Sequence, residues 1–202
     1  MKYKKLGKLP PDTIEFFKHE LLKRKFDGNY QWIWFDEFLN TEFTKIFSNT
    51  ELKVQYDFTN NRFVQKAFYI EPGHGVNIHK DGIQCRSALN IAVSCNDTDW
   101  VRWYDEDLIN SLQANITTTK YDLGYSRNCS IHEYEKIPFT EELHTEVGDV
   151  YTLDVDTFHS FKCVGSEPRI IIQTKFTDYP TFETIAKSLD KNSFANILNV
   201  LK

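Results

Sequence analysis

His79 and Asp81, separated by one residue and answered far downstream by His159 and then Arg169, are the residues of this chain best suited to do chemistry. Two imidazoles and one carboxylate make a three-donor set for a divalent metal and leave coordination positions open. That set suits Fe(II) where an oxidant and a second molecule must both reach the ion. Residues at i and i+2 of a strand point to the same face. His79 and Asp81 can therefore address one ion from the end of one strand, and His159 must arrive from another. Arg169 adds a planar cation that pairs bidentately with carboxylates. The spacing also allows a plainer arrangement: a surface His-Lys-Asp turn, a half-buried hydrogen-bonded His159, and Arg169 in a surface salt bridge with Glu167.

Placing those four residues requires a scaffold, and the 202 residues are enough for one domain with a sizeable core. Aromatics make up 15% of the chain and favour β structure. The net charge of −5 disfavours a nucleic acid partner, since phosphate binding wants a basic surface. Four cysteines occur without a CxxC, which excludes a zinc knuckle or a dithiol redox motif. The opening Met1-Lys2-Tyr3-Lys4-Lys5 stretch is basic and lacks the apolar run of a signal peptide. No segment approaches the roughly 20 apolar residues of a membrane span. The expectation is a cytoplasmic protein with reduced thiols and no membrane partner, acting on a small molecule or a peptide.

The patterning predicts N-terminal helices within residues 1–50, from the apolar spacing in Thr13–Leu22 and Phe35–Ile46. From 52 to 176 strand-like runs dominate: Val64–Ile70, Ser87–Val93, Trp100–Tyr104, Gly148–Asp154, Phe158–Val164 and Arg169–Phe176. The last two are predicted to form a tight hairpin around Gly165. Residues 105–145 read as a less regular insertion with a short helix near Leu108–Leu112, and 181–201 as a C-terminal helix. Strands without interleaved helices argue for an antiparallel sandwich or barrel.

Taken together, His79-x-Asp81, His159 and Arg169 resemble the 2-oxoglutarate/Fe(II)-dependent dioxygenase superfamily over about residues 64–176. The resemblance implies a double-stranded β-helix, a jelly-roll barrel of the cupin kind. It implies that His79, Asp81 and His159 hold iron and that Arg169 pairs with the far carboxylate of 2-oxoglutarate. Gln84-Cys85-Arg86-Ser87, Glu146-Val147-Gly148-Asp149 and Asp156-Thr157-Phe158-His159 are similar to the aspartyl/asparaginyl β-hydroxylase-like branch and its prolyl-hydroxylase-like neighbours. By that likeness Arg86 and Asn90 face the co-substrate. Asn90 stands where that branch has a histidine, and Asp81 is present where it often lacks a metal carboxylate. Tyr69 is a candidate donor to the co-substrate, or equally an aromatic core residue. Trp103 and Arg127 are candidates for a substrate wall. The implied activity is hydroxylation of an amino-acid or peptidyl side chain (Pro, Asp or Asn), with succinate and CO2 released and ascorbate in support. Two other readings keep the fold: a cupin-like isomerase or dioxygenase that does not use 2-oxoglutarate, and a non-catalytic jelly-roll binding module.

Overall fold

The computed structural model describes residues 1–24, 28–46, 56–57, 62–63, 65–82, 85–112, 115–121, 124–176 and 180–191. Its strands are β1 (Tyr3–Lys8), β2 (Tyr30–Trp34), β3 (Tyr56–Asp57), β4 (Arg62–Phe63), β5 (Lys66–Ile70), β6 (Gly75–Lys80), β7 (Ser87–Ser94), β8 (Trp100–Trp103), β9 (Asn115–Tyr121), β10 (Gly124–Ser130), β11 (Glu141–Leu143), β12 (Asp149–Asp154), β13 (His159–Lys162) and β14 (Arg169–Lys175). The helices are α1 (Pro11–Leu22), α2 (Glu37–Ile46), α3 (Glu106–Ser111) and α4 (Phe182–Lys191).

Among the described residues the strands form two six-stranded antiparallel sheets, ordered β1-β12-β7-β14-β5-β2 and β11-β8-β13-β6-β10-β9, with β3 and β4 as a separate small ladder. The sheets stack as a β sandwich, and no strand pair closes them into a barrel among the described residues.

The strands at the centre of the first sheet are apolar on both faces because both faces are covered. On the outer face Leu89, Ile91, Val93, Ile170 and Ile172 pack under Ile14, Phe17 and Leu21 of α1 and Leu39 and Phe43 of α2. On the inner face Ala88, Ala92 and Ile171 meet Val101, Trp103 and Leu143 of the second sheet. Strict alternation within β7 and β14 sorts the two sets, so a one-residue slip would turn every side chain over.

Three expectations change. The first fifty residues do supply two helices, but Tyr3–Lys8 and Tyr30–Trp34 are edge strands of the first sheet, laid against β12 and β5. Residues 115–130 form the paired strands β9 and β10, whose polar Thr, Asn and Ser residues hid the pattern. Most consequentially, β13 and β14 are not a hairpin: they lie in opposite sheets. Asp99 explains the crossing. Its carboxylate accepts from the backbone N–H groups of Asn96 (3.0 Å), Val164 (2.8 Å) and Gly165 (3.3 Å). The β7–β8 connection thus anchors the β13–β14 connection, and both carry the chain between sheets. Expected positions 52–55, Val64, Gln84 and 192–201 lie outside the described residues.

Asp99 is completely buried. Truncating it orphans several N–H donors at roughly 1–3 kcal/mol each. Asp99→Ala is expected to lose about 3 kcal/mol of stability in urea unfolding, and Asp99→Asn less, since an amide oxygen still accepts.

The four cysteines form no disulfide. Among the described residues no helix is long and apolar enough to cross a membrane.

Candidate metal centre

Strand β13 lies between β8 and β6, and its register sets His159 directly opposite His79. The ring centroids are 4.2 Å apart. At the other end of the same strand pair Gly75 lets β6 and β13 approach: a Cβ there would sit 2.2 Å from the carbonyl oxygen of Phe161 on β13. Asp81 follows the end of β6, its N–H donating to the Val155 carbonyl at 3.0 Å. Gly82, at a φ of 80°, turns the chain away immediately afterwards, a conformation that costs glycine nothing. One carboxylate oxygen of Asp81 lies 3.7 Å from His79 Nε2. One ligand atom from each of His79, Asp81 and His159 lies within 4.8 Å of the others.

The imidazoles are oriented as metal ligands must be. Nδ1 of His79 donates to the Asn77 carbonyl at 2.8 Å, and Nδ1 of His159 to the Thr157 carbonyl at 2.9 Å. Each bond fixes the proton on Nδ1 and leaves Nε2 as a lone-pair donor. Burial, reinforced by His79 and partly offset by Asp81, pushes the His159 imidazole down to about 4. Burial alone would raise the Asp81 carboxyl, but His79 and His159, with Lys66 and Lys175, hold it below the ordinary carboxylate range. A neutral imidazole beside an ionised carboxylate is the protonation state that metal binding demands. Donor types, convergence and protonation all fit Fe(II).

The cluster opens on a cavity of about 320 Å³ between the two sheets. His79 and His159 stand on the second sheet, with Asp81 just past the end of β6, and Arg169 stands on the first. Arg169 is 2% exposed, donates to the Trp100 carbonyl at 3.2 Å, and leaves Nε without a partner. Asn90 Oδ1 and Gln173 Oε1 line the same cavity, buried and likewise unpartnered, and the buried Tyr151 hydroxyl lines it within reach of the Arg169 side chain. Tyr151 pairs in register with Asn90, and Asn90 with Gln173, so the three form one row across β12, β7 and β14. Burial pushes the Tyr151 hydroxyl up to about 12 against the pull of Arg169, which keeps it a hydrogen-bond donor. Orphaned buried polar atoms each cost roughly 1–3 kcal/mol. Facing this cavity, Arg169 Nε–H and the Tyr151 hydroxyl are donors that suit an anion, whereas Asn90 Oδ1 and Gln173 Oε1 are acceptors that call for a donor.

The structure therefore brings His79, Asp81, His159, Arg169 and Asn90 to one cavity, and it places four other candidates outside it. Tyr69 alternates to the helix-covered face and packs into that core, while Lys66, Phe68 and Ile70 of the same strand face inward. Arg86 sits in a bend before β7 and turns toward Asp156, with Nε 3.7 Å from Oδ2. Trp103 is core: its indole N–H donates to the Asp154 carbonyl at 2.8 Å and its ring stacks on Tyr3. Arg127 reaches Asn110 and Glu106, whereas its neighbours Ser126 and Asn128 line the cavity. Tyr151 and Gln173 escaped the sequence reading. Strand parity was the available signal: Gln173 stands four residues beyond Arg169 on the same face, the polar residue ending an isoleucine run.

No family model and no curated protein matches the chain. Among solved structures it is similar to Escherichia coli ycfD, at 19% identity over 75% of this chain and 34% of that one, with a TM-score of 0.38. The chain thus spans about a third of that protein's length. It is also similar to AviO1 from Streptomyces viridochromogenes Tue57, at 13% identity over 89% of this chain and 91% of that one, with a TM-score of 0.48.

Proposed function

We propose that this chain is an Fe(II)- and 2-oxoglutarate-dependent oxygenase built on a double-stranded β-helix. The strand order supports the fold: β5, β6, β7 and β8, then β11, β12, β13 and β14, wind between the sheets as β12-β7-β14-β5 against β11-β8-β13-β6. Such winding supports a double-sheet jelly roll. One observation carries the activity: the His-Asp-His cluster shares a cavity with a buried guanidinium whose Nε has no partner.

In this reading His79, Asp81 and His159 hold the iron. Arg169 and the Tyr151 hydroxyl receive the far carboxylate of 2-oxoglutarate, with Asn90 and Gln173 beside them on the same wall. When bound, the iron and 2-oxoglutarate would let dioxygen act as the oxidant, one oxygen atom ending in succinate as 2-oxoglutarate loses CO2 and the other in a hydroxyl on a substrate C–H bond. The protein's share is orientation and dryness. The carbonyls of Asn77 and Thr157 hold the imidazoles in one tautomer. Val76, Val101, Leu153, Val155 and Ile171 line the cavity with apolar surface, which strengthens charge pairing by excluding water. The reading admits an amino-acid or peptidyl side chain (Pro, Asp or Asn) or another small molecule, a free carboxylic acid included, as substrate.

The test is succinate release from 2-oxoglutarate with Fe(II) and ascorbate. Wild type is expected to turn over slowly without substrate, and His79→Ala to fall to background. If iron-loaded wild type neither binds 2-oxoglutarate nor forms succinate, the reading fails.

A further inference from the structure

Among the described residues two cations of the first sheet line the cavity, Arg169 and Lys66. In register, Gln173 pairs with Lys66, and Lys66 with Trp34. The row begun by Tyr151 and Asn90 therefore continues through Gln173 to Lys66. At the backbone, Gln173 lies four residues from Arg169 along β14, so the Lys66 Cα is set roughly 13 Å along the strand direction from that of Arg169; Tyr151 shares the row, but its long side chain reaches back to the guanidinium. Lys66 is 7% exposed and lines the cavity. Its Nζ sits 4.4 Å from the ring centroid of Trp32 and 4.6 Å from that of Phe68. These cation–π contacts fix a normally mobile ammonium in place. The charge is felt at the metal residues, since Lys66 is among the groups that hold the Asp81 carboxyl down.

Around this cation the wall is aromatic and open. Trp32 is 50% and Tyr30 40% exposed, yet both line the cavity, and the Tyr30 ring lies 6.0 Å from that of Phe68. Large aromatic surface left uncovered at a cavity mouth is surface a ligand would bury.

We propose that Lys66, Trp32, Tyr30 and Phe68 form the substrate subsite, and that the molecule oxidised is a carboxylate carried on a flat apolar body. This rests on the oxygenase reading in one respect: Arg169 is taken by the co-substrate, which leaves the lysine end of the cavity for the substrate's acid group. The rings receive the apolar body and Lys66 receives the carboxylate. A charge-assisted hydrogen bond of this kind favours the acid over its neutral amide by about tenfold or more.

Three probes of one shape test the proposal: phenylacetate, phenylacetamide and phenethylamine, titrated calorimetrically into the Mn(II)-loaded protein with and without N-oxalylglycine. Phenylacetate is expected to bind at least about tenfold tighter than the amide, and the amine weakest of the three. Lys66→Met should erase the preference for the acid, Lys66→Arg should keep it, and Trp32→Ala should weaken acid and amide alike. Because the Lys66 charge is felt at Asp81, N-oxalylglycine affinity is measured with each protein saturated in Mn(II), and under that condition it should be unchanged in Lys66→Met. The proposal is overturned if phenylacetate shows no binding at millimolar concentration, if amide or amine binds as well as acid, or if Lys66→Met loses N-oxalylglycine affinity. The last result would assign the lysine to the co-substrate. Should Lys66→Met not fold, loss of the acid preference in Lys66→Arg would overturn it. Failure of wild type to bind N-oxalylglycine would instead refute the oxygenase reading, whichever way the three probes rank.

Discussion

His159→Ala is expected to weaken Mn(II) binding, used as a stand-in for Fe(II), by at least about 100-fold and to bring succinate formation to background. Loss of a partner that merely orients a ligand costs roughly 10–100-fold in metal affinity. Loss of the ligand must cost at least the upper end of that range. His159 is the sensitive member because it is the one donated by β13, so removing it leaves only what β6 and its end provide. The same variant has a second readout in metal-free protein. The His159 imidazole lies at about 4 instead of 6.5 because it is buried against His79. Above about 6.5 it is neutral folded or unfolded and contributes no pH dependence. As the pH falls from 6.5 toward 4 the unfolded chain takes up a proton that the folded chain refuses, so stability drops across that window. The Asp81 carboxyl, held below its ordinary range, adds stability at neutral pH that is lost at more acid values still. His159→Ala should flatten the fall between 6.5 and 4 in urea midpoints. A variant that binds Mn(II) like wild type would remove His159 from the ligand set.

What could be read without coordinates followed from how local each signal is. The His79 and Asp81 pair was legible because both residues sit at one strand end, where parity alone decides their direction. His159 and Arg169 were legible as residue types at a suggestive separation, but not as a geometry. A hairpin around Gly165 would have set them side by side, whereas the hydrogen bonds to Asp99 send β14 into the opposite sheet. No pattern within residues 158–176 records an anchor some sixty residues upstream. The cavity gained from that crossing, since the guanidinium now faces the His79-Asp81-His159 cluster instead of flanking it. Tyr69 and Arg127 failed on parity, each a single position away from residues that do line the cavity. Arg86 failed on a bend that precedes its strand. The edge strands β1 and β2 were unreadable because five or six residues with one covered face carry too little periodicity to outweigh the helices around them.

Arg169→Met should separate stability from binding, with the two moving in opposite directions. The arginine is 2% exposed, its Nε has no partner, and the hydrogen bond recorded for its guanidinium goes to the Trp100 carbonyl. Among the described residues Arg169 makes no ion pair; a buried cation so placed is a burden on the empty fold, and an apolar side chain of similar volume is commonly neutral or stabilising in its place. Metal-free, ligand-free Arg169→Met is therefore expected to melt at or above the wild-type temperature. With Mn(II) and 2-oxoglutarate the order reverses. Wild type gains stabilisation that grows with ligand concentration, about 2.7 kcal/mol at a hundred times Kd. The variant has lost one member of a buried charge pair, a loss worth roughly 2–5 kcal/mol, so its affinity should fall by about 30-fold or more. Tyr151→Phe tests the neighbouring donor: one hydrogen bond to a charged group is worth roughly 1.5–3 kcal/mol, so its loss should be smaller and should leave the empty fold's melting point close to that of wild type. Equal ligand-induced shifts in wild type and Arg169→Met would show that the carboxylate binds elsewhere. A large loss of stability in the empty Arg169→Met protein would mean that the arginine is a structural tie between β14 and β8, since the Trp100 carbonyl it holds belongs to β8.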